Sequence, residues 1–493
     1  MKNGILKDVG VITVSKFASN AISLLNLALL SRFRTLSEYG TYSQMLLTVS
    51  LVIAICDLGL PYAVTYFGSR AKDEEERKHF FSVFYTVDTA ISMFIGIVML
   101  VSIPLIEQYF NNPQIPKYWY FLLIFPWVRI IDATIDNVLV ILKKSVLIAV
   151  YRIAYGASVF LVIFTIQKLG LGFNEYLMAY TGLLILLTLA AYFLVSKNLG
   201  GIRPSFDKAL FIKILKYAIP IGLASAVGMV NIEFDKLIIG HRCTRDEMAI
   251  YANASKTLPV TLIAGSISMV LMPTIIRKVS EGRDSEAANM WGNAIVVSLD
   301  ILMTIVFALI IFAPEIIEFI YSEKYLAGTS IFRIYSTGYL LECTYWGTML
   351  NAKGKTKYIL YCSVGACTIN IILDLTLFEF FGMRGPAIAT VISQGCLEVF
   401  QYMSSKKLLG VKRIIDWNML IGIFTRNVII AAVFYIIRVI VISRTDISLV
   451  MEAFIIGSVW MLFYIAVYGK AILNKINSLN AKNNQAIGKP IQK

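Results

Sequence analysis

The stretch LLSRFRTLSEYGTY, Leu29–Tyr42, has a counterpart in IIGHRCTRDEMAIY, Ile238–Tyr251. The offset is 209 residues and sets Ser37-Glu38 on Asp246-Glu247 and Tyr42 on Tyr251. Two further matches keep an offset of 210. IPLIEQYF from Ile103 falls on APEIIEFI from Ala313, with Pro104 on Pro314, and ILKKSV from Ile141 falls on NAKGKT from Asn351. Asp132 stands opposite Glu342 at the same spacing. A nearly constant offset at several sites is the mark of an internal repeat, which fixes the architecture before any single element does.

The repeat unit is a set of apolar segments. Of the 493 residues 58% are apolar and only 15% are charged, against roughly 25% charged in soluble domains. Fourteen segments stand out, at 9–30, 41–66, 81–106, 119–142, 147–167, 175–196, 214–240, 252–276, 290–313, 331–352, 358–380, 385–405, 417–440 and 448–469. Runs this long and continuous predict membrane helices; barrel strands would alternate. Six segments per repeat is an even number, so both copies enter the membrane in the same direction, related by an axis along its normal. The expectation is an all-α polytopic membrane protein of about 14 transmembrane helices, two six-helix bundles in parallel repeat plus two extra C-terminal helices. Its parts are an N-terminal bundle at 1–196, a basic linker at 197–211, a second bundle at 212–410, helices 13 and 14 within 411–470, and a polar tail at 471–493.

The net charge of +14 divides by loop. The N-terminus, the tail and every second loop hold 28 of the 45 Lys and Arg, and the intervening loops hold 9. By the positive-inside rule both termini are expected in the cytoplasm. The excess then faces anionic lipid. No folded basic domain exists to take nucleic acid. The segment KDEEERK from Lys72 reads as a solvated helix start, with acids at the positive end of the helix dipole.

Several chemistries are excluded. His79 and His241 are too few for a His-rich metal site, and none of the six cysteines forms a C-x-x-C pair. There is no phosphate-binding G-x-x-x-x-G-K-[ST] and no plausible Ser-His-Asp set, so no enzyme activity and no cofactor are expected. The short polar start, Met1–Gly10, predicts no cleaved signal.

Function should reside in polar groups inside the segments. Lys16, Asn20 and Asn26 share one face of segment 1 with Ser15, Ser19 and Ser23. Asn231 and Asp235 lie with Ser225 and Gly228 on one face of segment 7. Charges also stand at Arg129, Asp132, Asp136, Arg152, Lys256, Asp300, Arg333, Glu342, Asp374 and Arg426. A charge at the bilayer centre costs roughly 2.5–3.5 kcal/mol, so each must meet a cavity or a partner. Arg129 and Asp132, one turn apart, can pair. A cationic cavity built from Lys16, Arg129, Arg152, Lys256, Arg333 and Arg426 suits an anionic substrate, since Arg forks and Lys point charges both bind phosphate. Asn20, Asn26, Asn231 and Asp235 add polar lining. Asp132, Asp300 and Glu342 are candidates for coupling to H+ or Na+.

These features resemble the polysaccharide-export flippases of the multidrug/oligosaccharidyl-lipid/polysaccharide superfamily. The resemblance rests on LSEYGTYSQ from Leu36, DLGLPYAVTYFGSR from Asp57, YAIPIGLASAVGMVNIEFDKLIIG from Tyr217, EMAIYANASKTL from Glu247, VLMPTI from Val270, and APEIIEFIYSEKYLAG from Ala313 with LNAKGKTKY from Leu350. It implies two six-helix bundles around a cationic lumen in a bacterial inner membrane. The implied cargo is an undecaprenyl-diphosphate-linked oligosaccharide, flipped from the inner to the outer leaflet by alternating access. Glycosyltransferases and a polymerase of a pathway such as O-antigen or capsule synthesis would be partners. The alternative is an ion-coupled exporter of small molecules. Drug exporters of the superfamily often carry an acid in the first helices, where this chain has Lys16.

Overall fold

The computed structural model describes residues 2–411, 413–444 and 447–487, and among these the chain is helical with no strand. Packing divides it into two compact units, Met1–Ala252 and Asn253–Lys493.

In the first unit the order is α1 (Lys2–Phe33), α2 (Leu36–Cys56), α3 (Leu60–Gly68), α4 (Glu74–Val101), α5 (Ile103–Phe110), α6 (Trp119–Ile141), α7 (Ser145–Lys168), α8 (Phe173–Asn198) and α9 (Lys208–Arg242). α1 packs on α7, and α6 packs on α4 and α8. The unit extends past the expected linker because α9 lies against α2 and α3. The linker itself is pinned to α4. Lys78 Nζ donates to the Gly200 carbonyl at 2.6 Å, and the Ser205 amide donates to Thr86 Oγ1 at 3.0 Å.

α10 (Arg245–Ala254) leads into the second unit. There follow α11 (Leu262–Ser280), α12 (Asp284–Ile311), α13 (Ala313–Ile320), α14 (Thr329–Gly338), α15 (Thr348–Ala352), α16 (Thr356–Phe381), α17 (Arg384–Leu409), α18 (Trp417–Ile442) and α19 (Leu449–Ile487). α16 packs on α17, and α12 packs on α11, α18 and α19. Trp291 of α12 sits in the unit's main apolar core.

The repeat is visible in atomic detail. α2 starts with a capping box in which the Glu38 amide donates to Thr35 Oγ1 at 3.2 Å and the Thr35 amide donates to Glu38 Oε2 at 3.0 Å. α10 starts with the same box, 209 residues on. The Glu247 amide donates to Thr244 Oγ1 at 3.2 Å and the Thr244 amide to Glu247 Oε2 at 2.8 Å. α4 and α12 are both 28 residues long, and α5 and α13 are both 8, each with proline at its second position. α4 is capped by Asp73 with Glu74, Glu75 and Glu76 in its first turn, as the charged KDEEERK segment suggests.

Nine helices among the described residues are long and apolar enough to cross a membrane: α2, α4, α7, α8, α9, α12, α16, α18 and α19 as far as Lys475. The other five expected segments are also helical. α1 offers the shorter apolar stretch Phe17–Phe33, and α6 carries three charges. α17 is less apolar, and segments 8 and 10 are interrupted. Segment 2 is interrupted as well, at Asp57–Gly59, where Leu58 has φ 54° and Gly59 φ 74°. A Cβ on Gly59 would stand 2.5 Å from the Ala218 carbonyl oxygen of α9, so the backbones touch where only glycine fits. Segment 10 is unwound between Gly338 and Gly347. Irregular backbone at membrane depth must be buried in protein or line a cavity.

Candidate functional site

The partners of the intramembrane charges decide what each can do. In the first unit Arg152 of α7 grips two carboxylates of α6. Its Nη1 donates to Asp132 Oδ1 and Oδ2 at 2.7 and 2.9 Å, its Nη2 to the Asp132 carbonyl at 3.1 Å, and its Nε to Asp136 Oδ1 at 3.0 Å. The expected pairing of Asp132 with Arg129 therefore gives way to a pairing across helices. A pair within one helix contributes only about 0.2–0.5 kcal/mol, whereas a guanidinium fork from a neighbouring helix makes several charge-assisted bonds at once. Arg129 is left exposed on α6. With it, the four groups on α6 and α7 are neutral overall.

The polar face of α1 is only partly described. Asn26 is buried and its Nδ2 donates to the Gly156 carbonyl at 2.9 Å, while Asn20 is exposed. The side chain of Lys16 lies outside the described residues. On α9, Asn231 is half-buried and Asp235 is buried. Asp235 accepts from the Tyr251 hydroxyl at 2.8 Å and from the Lys236 amide at 2.7 Å.

In the second unit Arg426 of α18 pairs with Asp300 of α12, and the guanidinium lies 4.2 Å from the centre of the Tyr468 ring. The Tyr464 hydroxyl donates to Asp300 Oδ1 at 2.7 Å. Arg426 and Asp300 thus tie α18 and α19 to α12. A second tie, missed in the sequence, joins Arg438 of α18 to Glu315 of α13, with Arg438 Nη1 donating to the Ile311 carbonyl at 2.8 Å. Arg333 is exposed and its Nε donates to the Ile310 carbonyl at 3.0 Å. Lys256 is exposed in the interruption of segment 8, where its carbonyl accepts from the Tyr339 hydroxyl at 3.2 Å. Glu342 lines a cavity of about 690 Å³ together with Glu398, a buried acid that sequence reasoning also misses. Asp374 is buried in α16.

Asp88 of α4 completes the missed residues. It is fully buried, and neither carboxylate oxygen has a hydrogen-bond partner among the described residues. Its signal, a single acid in an apolar run, equals that of Asp132. The six expected cations therefore divide. Arg152 and Arg426 are engaged by carboxylates, Arg129, Lys256 and Arg333 are exposed, and Lys16 is undescribed. Among the described residues no three or more His, Cys, Asp and Glu side chains are grouped as a metal site.

The sequence pattern of the family described as Polysaccharide biosynthesis protein matches residues 29–329. The chain belongs to this family. Its relatives include a probable low-salt glycan biosynthesis flippase of Haloferax volcanii, 22% identical over 39% of the chain and 41% of the relative. A probable lipid II flippase of Rhizobium tropici is 24% identical over 37% of the chain and 36% of its own length. The chain spans between 36 and 53% of the length of the relatives it matches. Its fold is that of a lipid II flippase solved in an inward closed conformation, with TM-score 0.71 and 17% identity over 94% of this chain and 99% of the other. An inward-facing multidrug resistance transporter of the MOP superfamily follows at TM-score 0.65 and 15% identity, over 80% and 94%. At these identities the likeness is one of fold. The chain is thus an all-α polytopic membrane protein with the fold of these two solved structures.

Proposed function

We propose that this protein is a flippase that moves an undecaprenyl-diphosphate-linked oligosaccharide from the inner to the outer leaflet of the bacterial cytoplasmic membrane, by alternating access, for surface polysaccharide synthesis. Membership of the polysaccharide biosynthesis family across residues 29–329 carries this reading. The intramembrane charges support it in a narrower form than the sequence suggests. Arg152 in the first unit and Arg426 in the second hold helices together, which leaves Arg129 in the first and Arg333 in the second as exposed cations suited to an anionic group. The termini are placed in the cytoplasm on the loop charges. Coupling to H+ or Na+ supplies the driving force. The glycosyltransferases and polymerase that make and use the cargo are the natural partners.

Deletion of the gene tests this. Lipid-linked oligosaccharide should accumulate in the inner leaflet, and surface polysaccharide should fall. Arg129→Ala should cut export about tenfold, the scale of one lost charge-assisted contact. Intact surface glycans together with broad drug sensitivity in the deletion strain would replace this reading with a small-molecule exporter.

A further inference from the structure

A groove of about 520 Å³ in the first bundle lies between α4, α8 and the linker. Ser82, Thr86 and Thr89 line it from α4, Tyr192 and Phe193 from α8, and Arg203 from the linker. Ser82 to Thr89 is seven residues of helix, about 10 Å of depth. The hydroxyls along this wall are engaged by the protein. The Arg203 amide donates to Ser82 Oγ at 3.3 Å, the Ser205 amide donates to Thr86 Oγ1 at 3.0 Å, and Thr89 Oγ1 is bonded to the Tyr192 hydroxyl. A ligand therefore meets an apolar trough with a guanidinium at its mouth. Arg203 is exposed and makes no ion pair among the described residues, and no acid lines the groove. The linker's own acid, Asp207, is taken up by the first-turn amides of α9 and by His79.

The second bundle shows the same place closed. At the offset of 210, Ser82 falls on Gly292 of α12, Arg203 on Arg413, Pro204 and Ser205 on Ile414 and Ile415, and Phe206 on Asp416. Ile414 and Ile415 are buried in the apolar core, and the Ile414 carbonyl lies so close to Gly292 that no Cβ fits between them. Arg413 pairs with Asp416 at 2.7 Å. The first bundle departs twice at matched positions. Its linker stands off α4 and leaves a groove, and its arginine stays unpaired because Phe206 stands where the partner acid would be. Phe206 and Phe193 are both exposed.

An apolar trough at membrane depth that ends in an unpaired cation has the polarity of a phospholipid in reverse. The loop charges set this end of the bundle in the cytoplasmic leaflet. Lipids of that leaflet are partly anionic, and basic pockets between helices on that side bind their head groups. A guanidinium can take two phosphate oxygens at once. Lys78, which donates to the Gly200 carbonyl, adds positive charge beside the linker. We propose that the groove binds an anionic phospholipid of the inner leaflet, with its phosphate on Arg203 and its chains along α4 and α8. The site is independent of what the protein transports.

Native mass spectrometry of the purified full chain in detergent, titrated with phosphatidylglycerol, phosphatidylcholine or inorganic phosphate, tests this. The parent should hold phosphatidylglycerol about fivefold more tightly than phosphatidylcholine, the scale of one basic residue at an anionic surface. Arg203→Ala should bring the two lipids level. Phe206→Asp, which installs the acid of the second bundle, should do the same with Arg203 in place. Arg413→Ala removes the same charge from the paired site and should leave the preference at the parent's value. Arg203, Phe206 and Arg413 are all exposed, so unfolding temperatures should stay near the parent's. Inorganic phosphate should not displace the lipid, because it makes no use of the trough. Equal binding of the two lipids by the parent, or a preference that survives Arg203→Ala, overturns the proposal. Equal losses from Arg203→Ala and Arg413→Ala overturn it in favour of diffuse surface charge, and displacement by inorganic phosphate in favour of a free-anion site.

Discussion

The two bundles follow one plan and treat the same positions differently. α6 is one continuous helix and gives Asp132 to Arg152. Its counterpart is unwound between Gly338 and Gly347, and Glu342 lines a cavity. On the outer side, Asp300 and Glu315 of the second bundle stand where the first has Ala90 and Leu105, both exposed. Those two acids receive Arg426 and Arg438, and with them α18 and α19. One scaffold thus acquires a guanidinium fork, a lined cavity or a docked helical pair according to single polar substitutions at matched sites. The reason is energetic. In a bilayer an unmatched charge costs kilocalories, so each charge dictates what must stand next to it.

The largest effect should come from breaking the closed pair of the first bundle. Arg152→Ala strands Asp132 and Asp136 and should cost about 3–5 kcal/mol in thermal unfolding. Removing the charges of all three residues together should restore most of that loss. A single mutant within 1 kcal/mol of the parent, on the scale of exposed pairs, would mean the Arg152 fork does not hold α6 to α7. Glu315→Ala strands Arg438 in the second bundle and should cost about 3 kcal/mol, read as faster hydrogen exchange on α18 than on α16. The converse change, Ala90→Asp, puts an acid on the bare face of the first bundle. It should lower stability by roughly 2.5–3.5 kcal/mol, because no arginine helix is there to receive it.

A smaller test asks where the bundles remain alike. Thr35→Ala and Thr244→Ala should each cost about 1 kcal/mol, the ordinary value of a capping side chain. Unequal losses would break the equivalence of the two capping boxes. Smallest of all is a pH effect confined to the linker. Asp207 caps α9, and the Leu210 amide, with His79 and the Ala209 amide, holds its carboxyl below the usual carboxylate range. A lowered value in the folded chain means the carboxylate stabilises the fold above the ordinary range, and this is lost as pH falls through the lowered value. Amide exchange in the first turn of α9 should therefore quicken on acidification, and Asp207→Ala should remove the dependence.

What the sequence revealed of this fold was its period. The matched capping boxes, the paired proline starts of α5 and α13 and the equal lengths of α4 and α12 all follow the offset read from the letters. The interruptions were half legible. Gly59 and Pro61 flag the break after Asp57, but nothing in the apolar run through Glu342 requires unwinding, which comes from packing. Pairings were the least legible. Helical period puts Arg129 beside Asp132, but the true partner is 20 residues away on another helix, and periodicity carries no information about which helices become neighbours. Glu315 and Arg438 escape notice for the same reason, whereas Asp88 and Glu398 carry the same signal as Asp132, a lone acid in an apolar run.

The Arg152 grip also bears on how the chain is made. α6 emerges from synthesis with Arg129, Asp132 and Asp136, a poor candidate for release into lipid by itself. Its neutralising partner follows on α7, after the short turn Leu142–Lys144. The two helices must then leave the insertion machinery as a hairpin, with α6 retained until α7 arrives. The order of residues along the chain thereby becomes an order of events in time.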